Sequence, residues 1–129
     1  MMSIDDPAGS VNRHADALVN GLVGKQLIGV TFVLDYCSVQ FEDTYLTIIN
    51  PWRLELNRQQ YTVETPGFRD ALCAGISHVV AEATIVPQRS LRIVMDIPWI
   101  LEVLLRPEDY VFGPEGVILH DDTGHWNVY

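Results

Sequence analysis

The chain has 129 residues, 48% of them hydrophobic and 19% charged, with a formal net charge of −9. That length suits one domain around one core, and the composition is globular rather than disordered. The acidic balance disfavours phosphate backbones and anionic membrane surfaces as partners, attracts a basic protein, and also keeps an isolated chain soluble.

Residues 1–10 contain no basic stretch followed by an apolar one, so a flexible N-terminus without a secretion signal is expected. The longest apolar run, Pro98–Leu105, is interrupted by Glu102 and is far short of the roughly 20 residues of a membrane span. These features predict a cytoplasmic location. Two cysteines, Cys37 and Cys73, are too few for a disulfide framework and read as reduced thiols.

A first helix is predicted from about Asn12 to Asn20, capped by Ser10 or Asn12 and stopped at Gly21. Alternating strands follow. Ile28, Val30, Phe32 and Leu34 share one face, then Cys37, Val39 and Phe41 alternate with Ser38, Gln40 and Glu42 to leave one wet face. Asp35-Tyr36 and Glu42-Asp43-Thr44 are the turns, and Leu46 and Ile48 begin the next strand. Residues 52–56 and 60–64 are expected to pair around Asn57-Arg58.

A second helix is predicted from Pro66 to Ala74, with Thr65 as its cap and Gly75 as its stop. Val79–Val86 is a strand ended by Pro87, and Leu91, Ile93 and Met95 alternate with polar neighbours. Trp99–Leu105 is apolar enough for a central strand or a short helix. Tyr110–Phe112, Val117–His120 and Trp126–Tyr129 read as three short strands separated by Gly-Pro and Asp-Thr-Gly turns. In the last strand Trp126 and Val128 are expected to face the core, with the histidines turned away from it.

Parts of the chain recur. Pro51-Trp52-Arg53-Leu54-Glu55-Leu56 matches Pro98-Trp99-Ile100-Leu101-Glu102-Val103, and Leu46-Thr47-Ile48 matches Leu91-Arg92-Ile93. Asp16–Leu22 matches Asp70–Ile76 at an offset of 54, the Pro-Trp blocks at 47. The expected fold is therefore α+β: one antiparallel, β-rich domain over residues 1–129, built from two helix-plus-sheet half-repeats, 12–64 and 65–129. Trp52 and Trp99 should occupy equivalent places in them.

The helix-Gly start, the short hairpins, the Pro-Trp-x-Leu-Glu step and the closing Gly-rich turn before Trp126 resemble a group of small bacterial proteins common in actinobacteria. Those proteins are known only as domains of unknown function. The resemblance spans about Leu18 to Tyr129, and around Pro87-Gln88-Arg89 the expected Asp-Gly turn is missing. It implies a fold and no established activity.

The sequence contains neither a phosphate loop nor a dinucleotide fingerprint, and Gly75-Ile76-Ser77-His78-Val79 is half a nucleophile elbow. No catalytic residue and no cofactor are assigned, and the balance leans away from an enzyme. Asp122-Thr123-Gly124 matches an aspartic-protease tripeptide but reads as a turn. If residues 121–124 are the hairpin loop, His120 and His125 become cross-strand neighbours and could hold a metal with Asp122. Trp52, Trp99, Tyr110 and Trp126 are candidates for a groove, although core packing is the commoner use of such residues. Glu55 and Glu102, at matching positions of the recurring block, are candidates to converge as an acid–base pair. Two functions remain open. One is a non-catalytic bacterial interaction protein, an inhibitor or immunity-type partner of a basic protein. The other is a small-ligand- or metal-binding module. A homodimer is compatible with either.

Overall fold

A computed structural model describes residues 17–129. The start of the first predicted helix and its caps lie outside these residues, as does the 1–10 segment. Residues 17–20 are helical. Ten strands follow: β1 (Leu27–Val33), β2 (Tyr36–Phe41), β3 (Thr44–Ile48), β4 (Trp52–Leu56), β5 (Gln59–Tyr61), β6 (Val80–Val86), β7 (Ser90–Met95), β8 (Trp99–Leu104), β9 (Val117–Asp121) and β10 (Trp126–Val128). One helix, α1 (Phe68–Cys73), lies between β5 and β6. Among the described residues the fold is thus β-rich and antiparallel, with little helix.

The strands form two five-stranded sheets. The first runs β1-β2-β3-β9-β10 and the second β6-β7-β8-β4-β5. Each sheet is a three-stranded meander completed by a hairpin from elsewhere in the chain. Residues 12–64 and 65–129 therefore do not each build a sheet of their own; each sends its last hairpin into the other's sheet. The inner faces supply a single apolar core, including Val39, Phe41, Leu46 and Ile48 from the first sheet and Leu54, Leu91, Ile93 and Leu101 from the second.

The two sheets are wired alike down to individual hydrogen bonds. Leu27 N–H donates to His78 C=O and Val80 N–H to Lys25 C=O, both at 2.9 Å. Gly24 N–H donates to Val80 C=O and Ser77 N–H to Leu27 C=O, both at 2.8 Å. Each bond maps onto its mate when 53 is added to one residue number and subtracted from the other, so Gln26, bridged to Val79, lies beside a local two-fold axis. Gly24 and Ser77 share positive φ values of 88° and 80°, and both β1 and β6 carry a bulge near their first residues.

This correspondence corrects the recurring-block alignment. The helix blocks are offset by 53 rather than 54. The Pro-Trp blocks are β4 and β8, antiparallel neighbours in one sheet, with Trp52 opposite Val103 and Leu56 opposite Trp99. The position wired like Trp99 is Thr44, and the one wired like Trp52 is Val117. Both blocks read alike because two central strands of one sheet need the same alternation.

Trp99 is fully buried. Its indole N–H donates to Ala71 C=O at 3.1 Å and Leu72 C=O at 3.3 Å, so this large side chain satisfies its polar atom inside the core. Gly75 leaves room for it: a Cβ there would lie 2.9 Å from both Trp99 Cε2 and Leu27 Cδ2. The helix α1 is shorter than predicted, and its N-cap is Gly67 with left-handed φ rather than Thr65. The Thr65 hydroxyl instead accepts from Thr62 N–H at 2.9 Å. Trp99–Leu104 is a central strand, while Tyr110–Phe112 is irregular chain after a 3-10 turn at Pro107–Asp109.

Candidate interaction surface

The outer faces are where the two sheets part company. On the second sheet, Thr84, Arg92, Glu102 and Arg53 lie side by side across β6, β7, β8 and β4. Arg53 Nε donates to Glu102 Oε1 at 2.7 Å, and Gln60 Nε2 to Glu55 Oε1 at 3.0 Å. This is a solvated face whose charges alternate in sign. A shallow depression there is lined by Arg53, Glu55, Gln60, Arg92, Ile100 and Glu102.

Glu55 and Glu102 are therefore close, but as residues of adjacent strands rather than across a two-fold axis. Each carboxylate already has a side-chain donor, which leaves no shared-proton pair of the kind expected from the sequence.

The first sheet is built oppositely. The buried positions Leu46 and Ile48 on β3 and Leu119 on β9 turn Tyr45, Thr47, Ile118 and His120 outward. The cross-strand register sets Gln40, Tyr45, His120 and Trp126 in one row, with Ser38, Thr47, Ile118 and Val128 in the next. Gln40 Nε2 donates to Tyr45 Oη at 3.1 Å. The Tyr45 and His120 rings stack with centroids 4.9 Å apart and planes 11° apart. Ser38 and Thr47 join hydroxyls at 2.9 Å. No Asp, Glu, Lys or Arg stands in either row.

Trp126 and Val128 belong to this outer face, 65% and 47% exposed, contrary to the expectation that they fill the core. The register explains the reversal. Asn127 pairs with buried Leu119, and Tyr129 N–H donates to Val117 C=O at 2.9 Å, so Asn127 and Tyr129 have the inward parity. A shift of one residue exchanges every side chain between faces.

The same shift separates the histidines. The hairpin loop is Asp122-Thr123-Gly124, with Gly124 at φ 88°, so His120 pairs with Trp126 and His125 faces Asp121. His125 Nδ1 lies 2.7 Å from Thr123 Oγ1 and 3.7 Å from Asp121 Oδ2. Asp121 Oδ1 accepts from Thr123 Oγ1, Thr123 N–H and His125 N–H, and these bonds, led by the Thr123 hydroxyl, hold its carboxyl below the usual carboxylate range. Asp122 joins neither histidine in a ligand set. Among the described residues no group of three or more His, Cys, Asp or Glu is placed to hold a metal.

The remaining candidates scatter. Trp99 is core, Trp52 is half-buried with its ring 5.9 Å from Phe68, and Tyr110 stands in the loop after the 3-10 turn. They do not line one groove with Trp126. At the half-elbow, Ser77 bends the backbone while His78 Nδ1 lies 3.2 Å from Asp96 Oδ1, and no bond joins the serine hydroxyl to the imidazole. Both cysteines are free, and burial pushes the Cys37 thiol up to about 11.

The first sheet's outer face has a polarity along its strands. At one end the Glu42-Asp43 and Asp121-Asp122 turns lie together, with Asp122 N–H donating to Asp43 C=O at 3.1 Å. Among the described residues, four carboxylates lie there with Lys25, which pairs with Asp43. At the other end are Val33, Tyr36 and Leu34, the last 96% exposed. Sequence reasoning recorded the wet face of β2 but missed its continuation through Tyr45, His120 and Trp126, because that row exists only once β9 is placed beside β3.

Comparison of the chain with protein-family models, with curated proteins and with solved structures finds no match. No helix among the described residues is long and apolar enough to cross a membrane.

Proposed function

We propose that this chain is a non-catalytic protein-interaction module that engages a basic protein through the outer face of its first sheet, as an inhibitor or immunity-type partner would. One observation carries the reading. Of two sheets wired alike, one has an outer face of alternating charges, and the other an uncharged aromatic face running into a carboxylate-rich end. Depletion of charge with enrichment in Tyr and Trp is the composition of an interface centre. The carboxylates at its rim would steer a basic partner and fix its orientation. The half-repeat organisation over 12–64 and 65–129 belongs to this proposal, supported by the shared wiring of the sheets. So does the bacterial-family resemblance, which is consistent with an adaptor lacking catalytic motifs.

The test is differential capture. The full chain, Tyr45→Ala, Trp126→Ala and Arg92→Ser are immobilised and exposed to native-cell lysate at low and high salt. The expected result is a basic protein held by wild type and by Arg92→Ser, with binding weakened by salt. Both aromatic truncations should lose it, since a central aromatic anchor is worth about 2 kcal/mol or more. Equal recovery by all four proteins would overturn the reading.

A further inference from the structure

We infer that β10 is a self-pairing edge: two copies of this chain join by antiparallel β10–β10 pairing about a two-fold axis at Asn127, merging their first sheets into one ten-stranded sheet. The inference rests on the edge of that sheet and is independent of what binds its face.

The backbone polarity of β10 comes first. Tyr129 N–H donates to Val117 C=O and Asp121 N–H to His125 C=O, which makes 129–117, 127–119 and 125–121 the hydrogen-bonded pairs. The N–H and C=O groups of Trp126 and Val128 then point away from β9. Among the described residues nothing pairs with them.

The other three edges are blunted, as natural sheet edges generally are. β1 and β6 are bulged, at Leu27/Gly29 and Val80/Glu82, and are tied to each other at Gln26–Val79. β5 is polar, with exposed Gln59 and Gln60 next to Arg58. β10 has neither charge, proline nor bulge, and it carries a largely exposed tryptophan. Gln60 and Trp126 occupy equivalent places in the two sheets, so the difference lies at one structural position.

A strand whose outward groups belong to Trp126 and Val128 is complementary to itself. A two-fold at Asn127 sets Trp126 opposite Val128 of the second copy, twice over, and each such pair exchanges two hydrogen bonds. Each indole then lies beside a valine on the outer face, which makes one apolar strip of four side chains. Charge permits the arrangement despite −9 on each chain. Antiparallel pairing sends the two Asp121-Asp122 turns to opposite ends of the seam, so neither faces its own counterpart. The occupant that this self-complementary register fits is a second copy of the chain.

Sedimentation equilibrium of the full chain over a concentration series, at low and high salt, tests this. The expected result is a reversible dimer that strengthens with salt, because screening reduces the repulsion between two acidic copies. Salt acts in the opposite sense on the basic-partner complex, so the two readings fail separately. Val128→Pro removes an outward N–H without touching the β9 ladder, and Trp126→Lys places a charge in the strip. Each should lower the association constant about tenfold or more while leaving thermal unfolding of the monomer near wild type. A chain monomeric at every concentration in both salts overturns the inference. So does a dimer that both variants leave intact.

Discussion

The two sheets hold the same course at their inner faces and diverge at their outer ones. Equivalent inner positions are Val39 and Ile93, Leu46 and Leu101, Ile48 and Val103, and Leu54 and Leu119, all aliphatic. Equivalent outer positions are Ser38 and Arg92, Tyr45 and Ile100, Thr47 and Glu102, and His120 and Glu55. Burial limits the first set to side chains that fill space without polar atoms. The second set is free of that demand, so its divergence records what each face meets. Symmetry in the wiring thus acts as an internal control, in which a position that departs from its mate needs its own reason.

One departure among the inner positions yields the largest predicted effect. Trp99 stands where the first sheet has Thr44, and Gly75 where it has Leu22. The tryptophan occupies the volume that the glycine leaves open. Trp99→Thr should cost about 3–5 kcal/mol by opening a cavity and removing the indole bonds to Ala71 and Leu72. Gly75→Leu should cost about 1–3 kcal/mol or more by overpacking against Trp99 and Leu27. The double variant recreates the first sheet's combination. It should recover about 1–3 kcal/mol relative to the sum of the singles in urea denaturation. Strict additivity would show that the two sites are not exchanging volume.

The next asymmetry is a connection. The β3–β4 crossover takes three residues, 49–51, and its counterpart between β8 and β9 takes twelve, 105–116. The longer one is anchored by Asp109, buried, which accepts from Arg106 N–H, Nε and Nη2, each at 2.9 Å. The Arg106 guanidinium is the main reason the Asp109 carboxyl sits below its usual value of about 4. The unfolded chain therefore binds a proton there more readily than the folded one. The contribution is fully present above about pH 4 and is lost as pH falls through the lower native value. Asp109→Asn should lower stability at neutral pH by about 1–3 kcal/mol and flatten the acid limb of the stability profile. An unchanged acid limb would remove Asp109 from this account.

A smaller effect separates Gly24 from Ser77, which share a left-handed backbone. Nothing lies within 4 Å of a Cβ at Gly24, so Gly24→Ser should cost about 1 kcal/mol from backbone strain alone. Ser77→Gly relieves strain but frees the unfolded chain, and should change stability by less than about 0.5 kcal/mol. Thermal melts of both variants check the pair. Smallest of all are the outer faces. Trp126→Ala and Glu102→Gln should each stay within about 0.5 kcal/mol of wild type in stability, since one removes an exposed side chain and the other a surface ion pair.

Much of the strand pattern was legible because alternation is local. Asn57-Arg58 marks its turn, with both residues at positive φ, and Leu46/Ile48 against Tyr45/Thr47 already separates two faces. What escaped was relational. Whether Trp126 faces inward depends on whether the loop before it has three residues or four, and on the parity of buried Val117 and Leu119 in another strand. The Pro-Trp recurrence misled because adjacent strands in one sheet obey the same rule as equivalent strands in two sheets. The aromatic row lies on β2, β3, β9 and β10, with His120 on β9 standing 75 positions after Tyr45 on β3 and a second sheet built in between. Separation of that kind leaves no mark in local periodicity.

The central claim is that the uncharged face is the contact surface and the charged face is not. Hydrogen–deuterium exchange of the captured complex against the free chain reads both faces at once. Protection on binding should concentrate in β3, β9 and β10, around Tyr45, His120 and Trp126, with β4, β7 and β8 unchanged. Protection centred on Arg53, Arg92 and Glu102, with β9 and β10 unaffected, would contradict it.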